Sequence, residues 1–172
     1  MKILNVCLRP FNEKFEYVEL MFYIFLAAII PIVFKHPQLL VGSVVNTLLV
    51  LSALHFKGIK SLIIAFIPSL SVVCVGLLFG NLTHFLIWIL PFIWIGNIVY
   101  MLMFKRMILK KQNVSVLIFA PLIKAIILGA GASILIWLNV FPLSLLNAFS
   151  ITQLITGIIG GLIGYGLVIV FQ

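Results

Sequence analysis

Beyond Glu19 the chain has no aspartate or glutamate: every residue from Leu20 to Gln172 is apolar, polar but uncharged, or basic. A water-soluble domain coats itself with charged side chains at roughly 25% of its positions. Here charged residues are 8% of the 172 and hydrophobic ones 65%, so most of the chain belongs in lipid and a soluble fold is excluded. The missing acids exclude chemistry as well. Carboxylate pairs of the glycosidase kind, carboxylate-bridged metals and proton relays built on Asp or Glu need side chains that this region lacks. His, Lys, amide, hydroxyl and backbone groups remain.

The formal charge is +8, from 11 Lys and Arg against three acids. The basic residues stand in short clusters between apolar runs and not on a polar surface, which points to lipid headgroups as their partners and away from nucleic acid. Cys7 and Cys74 are the only thiols; their positions suggest neither a disulfide nor a metal site. The first residues, with Arg9, Pro10 and alternating charges, lack the apolar core of a signal peptide. Residues 1–17 therefore read as a cytoplasmic amphipathic leader, a short surface helix entering the first span, and residues 18–172 as the transmembrane domain.

A helix crosses ~30 Å of hydrocarbon at ~1.5 Å per residue, so a span needs about 17 to 25 apolar residues. The sequence divides into six, at about Val18–Phe34, Leu39–Leu54, Leu62–Phe79, Phe85–Phe104, Val114–Trp137 and Ile151–Phe171. The second is short, and its ends recruit Gln38 and His55. These continuous runs lack the alternation of barrel strands. The expected fold is all-α, an integral membrane bundle of six transmembrane helices.

Basic residues set the direction. One side of a six-span chain receives nine, Lys2, Arg9, Lys14, Lys57, Lys60, Lys105, Arg106, Lys110 and Lys111, and the other receives only Lys35. Both termini are thus expected in the cytoplasm. The outer loops begin near Lys35 to Gln38, near Asn81, Thr83 and His84, and from Asn139 through Asn147 to Thr152 and Gln153. They hold most of the uncharged polar residues, which equips the outer face to touch something other than lipid.

Three polar residues lie deep within spans: Asn97 about 12 Å from the basic boundary, Asn46 and Lys124 about 15 to 17 Å from it. A lysine at a helix centre costs roughly 2.5 to 3.5 kcal/mol on insertion scales, and no acid at that depth neutralises this one. Its partners must be amide oxygens such as those of Asn46 and Asn97, carbonyls freed by Pro121, water, or a ligand carboxylate or phosphate. The alternative is that it snorkels to the cytoplasmic headgroups. Asn46 and Asn97 either join helices or bind a ligand. Pro31, Pro68, Pro91 and Pro121 fall inside spans and free carbonyls there.

Gly157 with Gly161 and Gly160 with Gly164 make two overlapping GxxxG spacings, a signature of close helix packing, within the bundle or against a partner subunit. Gln38-Leu-Leu-Val-Gly42 and Gln153-Leu-Ile-Thr-Gly157 echo one another, both at the outer boundary and running inward. A paired site with Gln38 and Gln153 as amide arms would look like this.

The histidines are split, His36 and His84 outside and His55 inside, no serine is paired with any of them, and no HExxH or phosphate loop is present. The chain is expected not to be an enzyme and to need no cofactor or metal. Without carboxylates beyond Glu19 it is not expected to couple transport to protons by itself, while sodium held by carbonyls remains open.

Six spans, inner termini, Lys35-His36-Pro37-Gln38 running into Leu-Leu-Val-Gly42-Ser43-Val-Val-Asn46, and the segment Pro91 to Gly96-Asn97 together resemble the substrate-binding (S) component of energy-coupling factor transporters. The resemblance implies a vitamin- or metal-type micronutrient bound near the outer face, a cell membrane of bacterial or archaeal type, and docking onto a transmembrane coupling subunit driven by two ATPases; the split histidines and the lack of a His-rich N-terminal tract favour the vitamin type over the metal. It carries a gating loop to His36 and Pro37, and solute contacts to Gln38, Asn46, Asn97, Lys124 and Gln153. The paired alanines that the family often sets four apart in the first span have no counterpart, since Ala27 and Ala28 are adjacent. Lys124 without acids favours a neutral or anionic solute. The competing expectation is a membrane scaffold of the cell-shape type, which would use the basic loops and glycine faces for assembly and have no solute pocket.

Overall fold

In hydrocarbon a backbone must satisfy its hydrogen bonds within itself, and a chain this apolar does so as helices. The computed structural model describes residues 13–34, 37–76, 80–109 and 114–170, and contains no strand among them. Its helices are α1 (Glu13–Val33), α2 (Gln38–His55), α3 (Gly58–Ile63), α4 (Ile67–Val75), α5 (Leu86–Leu109), α6 (Val116–Trp137), α7 (Leu146–Phe149) and α8 (Ile151–Val170). Tight 3-10 turns at Gly80–Phe85 and Leu143–Leu145 lead into α5 and α7. Six segments are long and apolar enough to cross a membrane, with α3 and α4 together forming the third. The protein is an all-helical, multi-pass membrane protein.

Several boundaries differ from the sequence reading. The helix of the first span begins at Glu13, inside the expected leader; residues 1–12, Cys7 and Arg9 among them, lie outside the described residues. The third span is not one continuous helix from Leu62. It begins at Gly58, breaks over residues 64–66 and resumes at Ile67. Pro68 is the reason: it has no N–H for the Ile64 carbonyl, and its ring would collide with that group. It stands instead in the first turn of α4, where a missing N–H costs nothing. Gly76, in the left-handed region at φ 72°, ends α4.

The fourth span also runs past its expected end, so Lys105 and Arg106 ride on α5 and not in a loop. Lys105 is 1% exposed. Its Nζ donates to the Phe56 carbonyl at 2.8 Å and to Ser61 Oγ at 3.0 Å, tying α5 to the link between α2 and α3.

The most extensive helix contact is between α2 and α8, and glycines make it. A Cβ on Gly160 would lie 2.5 Å from Asn46 Cβ and 2.7 Å from the Ser43 carbonyl, and one on Gly164 would lie 2.9 Å from Val50 Cβ. Gly42 in turn faces Thr156. The pairs Gly42/Thr156, Asn46/Gly160 and Val50/Gly164 ascend together, so the helices run parallel, as the second and sixth spans of an alternating chain must. The other two glycines face elsewhere in the bundle: Gly157 abuts Pro121 of α6, and Gly161 abuts Phe104 and Tyr100 of α5. All four glycines are buried between helices of the same chain.

Outward surfaces are apolar, as on α1 at Phe15, Val18, Met21, Phe22 and Phe25. The buried polar residues, Asn46, Thr47, Asn97, Lys124 and Thr156 among them, face inward. Gly160→Val is expected to destabilise the protein by about 1–3 kcal/mol through overpacking. Gly166→Ala, whose Cβ meets nothing within 4 Å, should be neutral or gain up to ~1 kcal/mol in helix propensity. Thermal unfolding of the purified protein in detergent checks both.

Candidate functional site

Two apolar clusters fill the bundle, one including Leu49, Phe56, Tyr100 and Phe104 and the other Leu86, Ile89, Leu135 and Phe149. Between them come the polar residues. On α5, Asn97 lies between Ile89 and Tyr100; on α6, Lys124 lies between Ala120 and Leu128.

Lys124 is 2% exposed and its Nζ donates to Asn46 Oδ1 at 2.6 Å. The same nitrogen stands 5.3 Å from the centroid of the Tyr100 ring, within the range where an aromatic face attracts a cation. Asn46 Nδ2 donates to Thr156 Oγ1 at 3.2 Å, and the Tyr100 hydroxyl donates to the Gly157 carbonyl at 2.7 Å. Four helices, α2, α5, α6 and α8, thus converge on one polar cluster. Small residues make the convergence possible. Gly160 admits Asn46, Gly157 admits Pro121 one turn before Lys124, and Gly96 admits Leu128 one turn after it.

Above this floor is a cavity of about 100 Å³. Gln38, Asn46, Asn97, Lys124 and Gln153, the five residues expected from sequence to contact a solute, all line it. Apolar walls come from Val41, Val45, Val72, Leu90, Ile93 and Phe149, and Pro31 of α1 adds to the rim. The cavity lies towards the end of the bundle where α2 and α8 begin, away from the basic loops. Pro37, of the expected gating loop, is the exposed residue before α2, adjoining Gln38; His36 lies outside the described residues. Lys124 does not snorkel: its amine turns to Asn46.

Asn97 also has a second task. Its Nδ2 donates to the Ala65 carbonyl at 2.9 Å, in the break between α3 and α4. Trp94, one turn earlier, donates to Ser69 Oγ at 2.9 Å. Sequence reasoning overlooked Tyr100, Thr156 and Ser69, and placed Thr152 on the outer face without a role in the site. Spacing offered a signal for the first two, since Tyr100 follows Asn97 and Thr156 follows Gln153 by three positions, which puts each pair on one helix face.

Asn46→Leu removes the hydrogen-bond acceptor of Lys124 and the donor to Thr156, at an expected cost of about 1–3 kcal/mol. Asn46→Leu combined with Lys124→Met should be less destabilised than the two single changes added together, with a coupling of roughly 0.5–3 kcal/mol. A double-mutant cycle by thermal or denaturant unfolding measures it.

Among the described residues no three His, Cys, Asp or Glu side chains gather as a metal site would require. No protein-family model, curated protein or solved structure matches the chain.

Proposed function

We propose that the protein is the solute-binding subunit of an uptake system in a bacterial or archaeal cytoplasmic membrane, capturing a small vitamin-like molecule, neutral or anionic. The observation that carries this reading is the cavity with Lys124 at its floor and the amides of Gln38, Asn46, Asn97 and Gln153 around it. A buried cation in lipid without an acid of its own is costly, and a polar cavity above it is where a solute offsets that cost. Both termini face the cytoplasm by the excess of basic residues on that side, so the cavity opens outward. The role is non-catalytic. Since the chain has no carboxylate beyond Glu19, and therefore none at the level of the cavity to couple to protons, energy comes from a separate transmembrane coupling subunit with two ATPases, the arrangement that the resemblance to energy-coupling factor S components implies.

A scaffold of the cell-shape type would need its glycine faces free for assembly. Those of α8 are occupied by α2, α5 and α6 of the same chain, which favours the capture reading.

Native mass spectrometry of the purified protein is expected to reveal a retained small molecule that denaturation releases. A protein that retains nothing, and that no solute in a panel of vitamins and their precursors stabilises against heat, would reject capture and favour the scaffold. Orientation has its own measurement. With Cys7 and Cys74 changed to serine, Ser144→Cys should react with an impermeant maleimide on intact spheroplasts, and Lys57→Cys only after permeabilisation; the reverse pattern would turn the cavity inward.

A further inference from the structure

Resting on that reading, we infer that the solute is a monocarboxylate with an apolar body, bound acid-first. Its carboxylate meets Lys124 at the floor, its body lies along the apolar walls, and a hydrogen-bonding group at its far end reaches Gln38 and Gln153.

The floor sets the headgroup. A lysine amine presents up to three N–H donors, and among the described residues only Asn46 Oδ1 accepts one. The Tyr100 ring faces the same nitrogen but offers no lone pair in its plane of approach. Donors remain for an acceptor in the cavity that Lys124 lines. From Leu20 onward the chain has no acid to provide a counter-charge, so the negative charge has to arrive with the solute. A cationic headgroup would meet repulsion there, and a neutral one would leave the lysine uncompensated in a medium of low dielectric.

The count of charges narrows the class. Among the described residues that line the cavity Lys124 is the one cation, and none is Arg or His. A phosphate monoester carries close to two negative charges near neutral pH, and one of these would be buried unpaired. A single carboxylate balances, and it can accept from Lys124 and from an amide N–H together.

The walls set the body. Between Asn46 and Gln38 on α2 stand Val41 and Val45, and across from them on α5 are Leu90 and Ile93. Eight positions of helix separate Asn46 from Gln38, a rise of about 12 Å. A solute that touches both ends is elongated, with an apolar middle too long for a two- or three-carbon acid.

The experiment uses the full chain in phosphatidylcholine nanodiscs, with straight-chain monocarboxylates of about four to ten carbons as probes, and the primary amides and amines of the same lengths as controls. Binding is read from the thermal-unfolding midpoint and from tryptophan fluorescence. Acids within a window of lengths should stabilise the protein, the matching amides should bind roughly tenfold more weakly or worse, and the amines should not bind. Lys124→Gln and Lys124→Met should erase the preference for acid over amide, and Lys124→Arg should retain it. The acid-against-amide comparison on the unaltered protein needs no variant to fold. Amides that match the acids, an acid preference that survives Lys124→Gln, or no stabilisation by an acid of any length overturns the inference. A neutral molecule retained in native mass spectrometry also overturns it while leaving the capture reading intact.

Discussion

The hydrogen bond from Lys124 to Asn46 depends on backbones lying closer together than side chains normally allow. A lysine midway through a span must find company within reach of its own helix, and Asn46 is within reach only because Gly160 has no side chain to hold α2 away from α8. Gly157 does the same for α6 at Pro121, and Gly96 of α5 for α6 at Leu128. In lipid there is no hydrophobic force to drive helices together; close packing and interhelical hydrogen bonds have to do it. The glycines supply the first, and the Lys124–Asn46–Thr156 chain supplies the second at the same level of the bundle. Packing and chemistry are therefore not separable here.

The broken third span follows the same rule of backbone satisfaction. An interruption at membrane depth exposes carbonyls that water cannot reach. One of them is met from another helix: Asn97 Nδ2 donates to the Ala65 carbonyl inside the break, while the Phe66 carbonyl accepts from the Leu70 N–H of α4 and from Ser69 Oγ. Since Asn97, Pro68 and Ser69 also line the cavity, the break forms part of its wall.

The six spans were legible in the sequence because hydrophobic length is a one-dimensional property, and the depth of Asn46, Asn97 and Lys124 was legible because rise per residue is constant. That Gln38 and Gln153 line the same cavity could be anticipated from the echoed segments that open α2 and α8. What a helix faces, however, depends on its rotation about its own axis. Tyr100 and Lys105 show the limit. The spacing from Asn97 sets Tyr100 on the polar face of its helix but does not say that this face meets Lys124, and Lys105, just past the apolar run as a loop cation would be, has nothing beside it to say that it reaches the Phe56 carbonyl. The break before Pro68 was hidden for another reason: membrane helices often absorb a proline, and the amide that meets the Ala65 carbonyl in this break, Asn97, comes from another helix.

Below Lys124 the bundle closes. Phe56, Tyr100 and Phe104 are fully buried at the end nearer the basic loops, Tyr23 stacks edge-on against Phe56, and Lys105 ties down the Phe56 carbonyl. The bundle is filled with aromatics on one side of its polar floor and hollow on the other. On the capture reading, a solute seated on Lys124 goes no further until the helices around it rearrange, and no carboxylate beyond Glu19 couples that rearrangement to protons. On the same reading the work comes from outside this chain, because the filled half of the bundle offers a seated solute no continuous path.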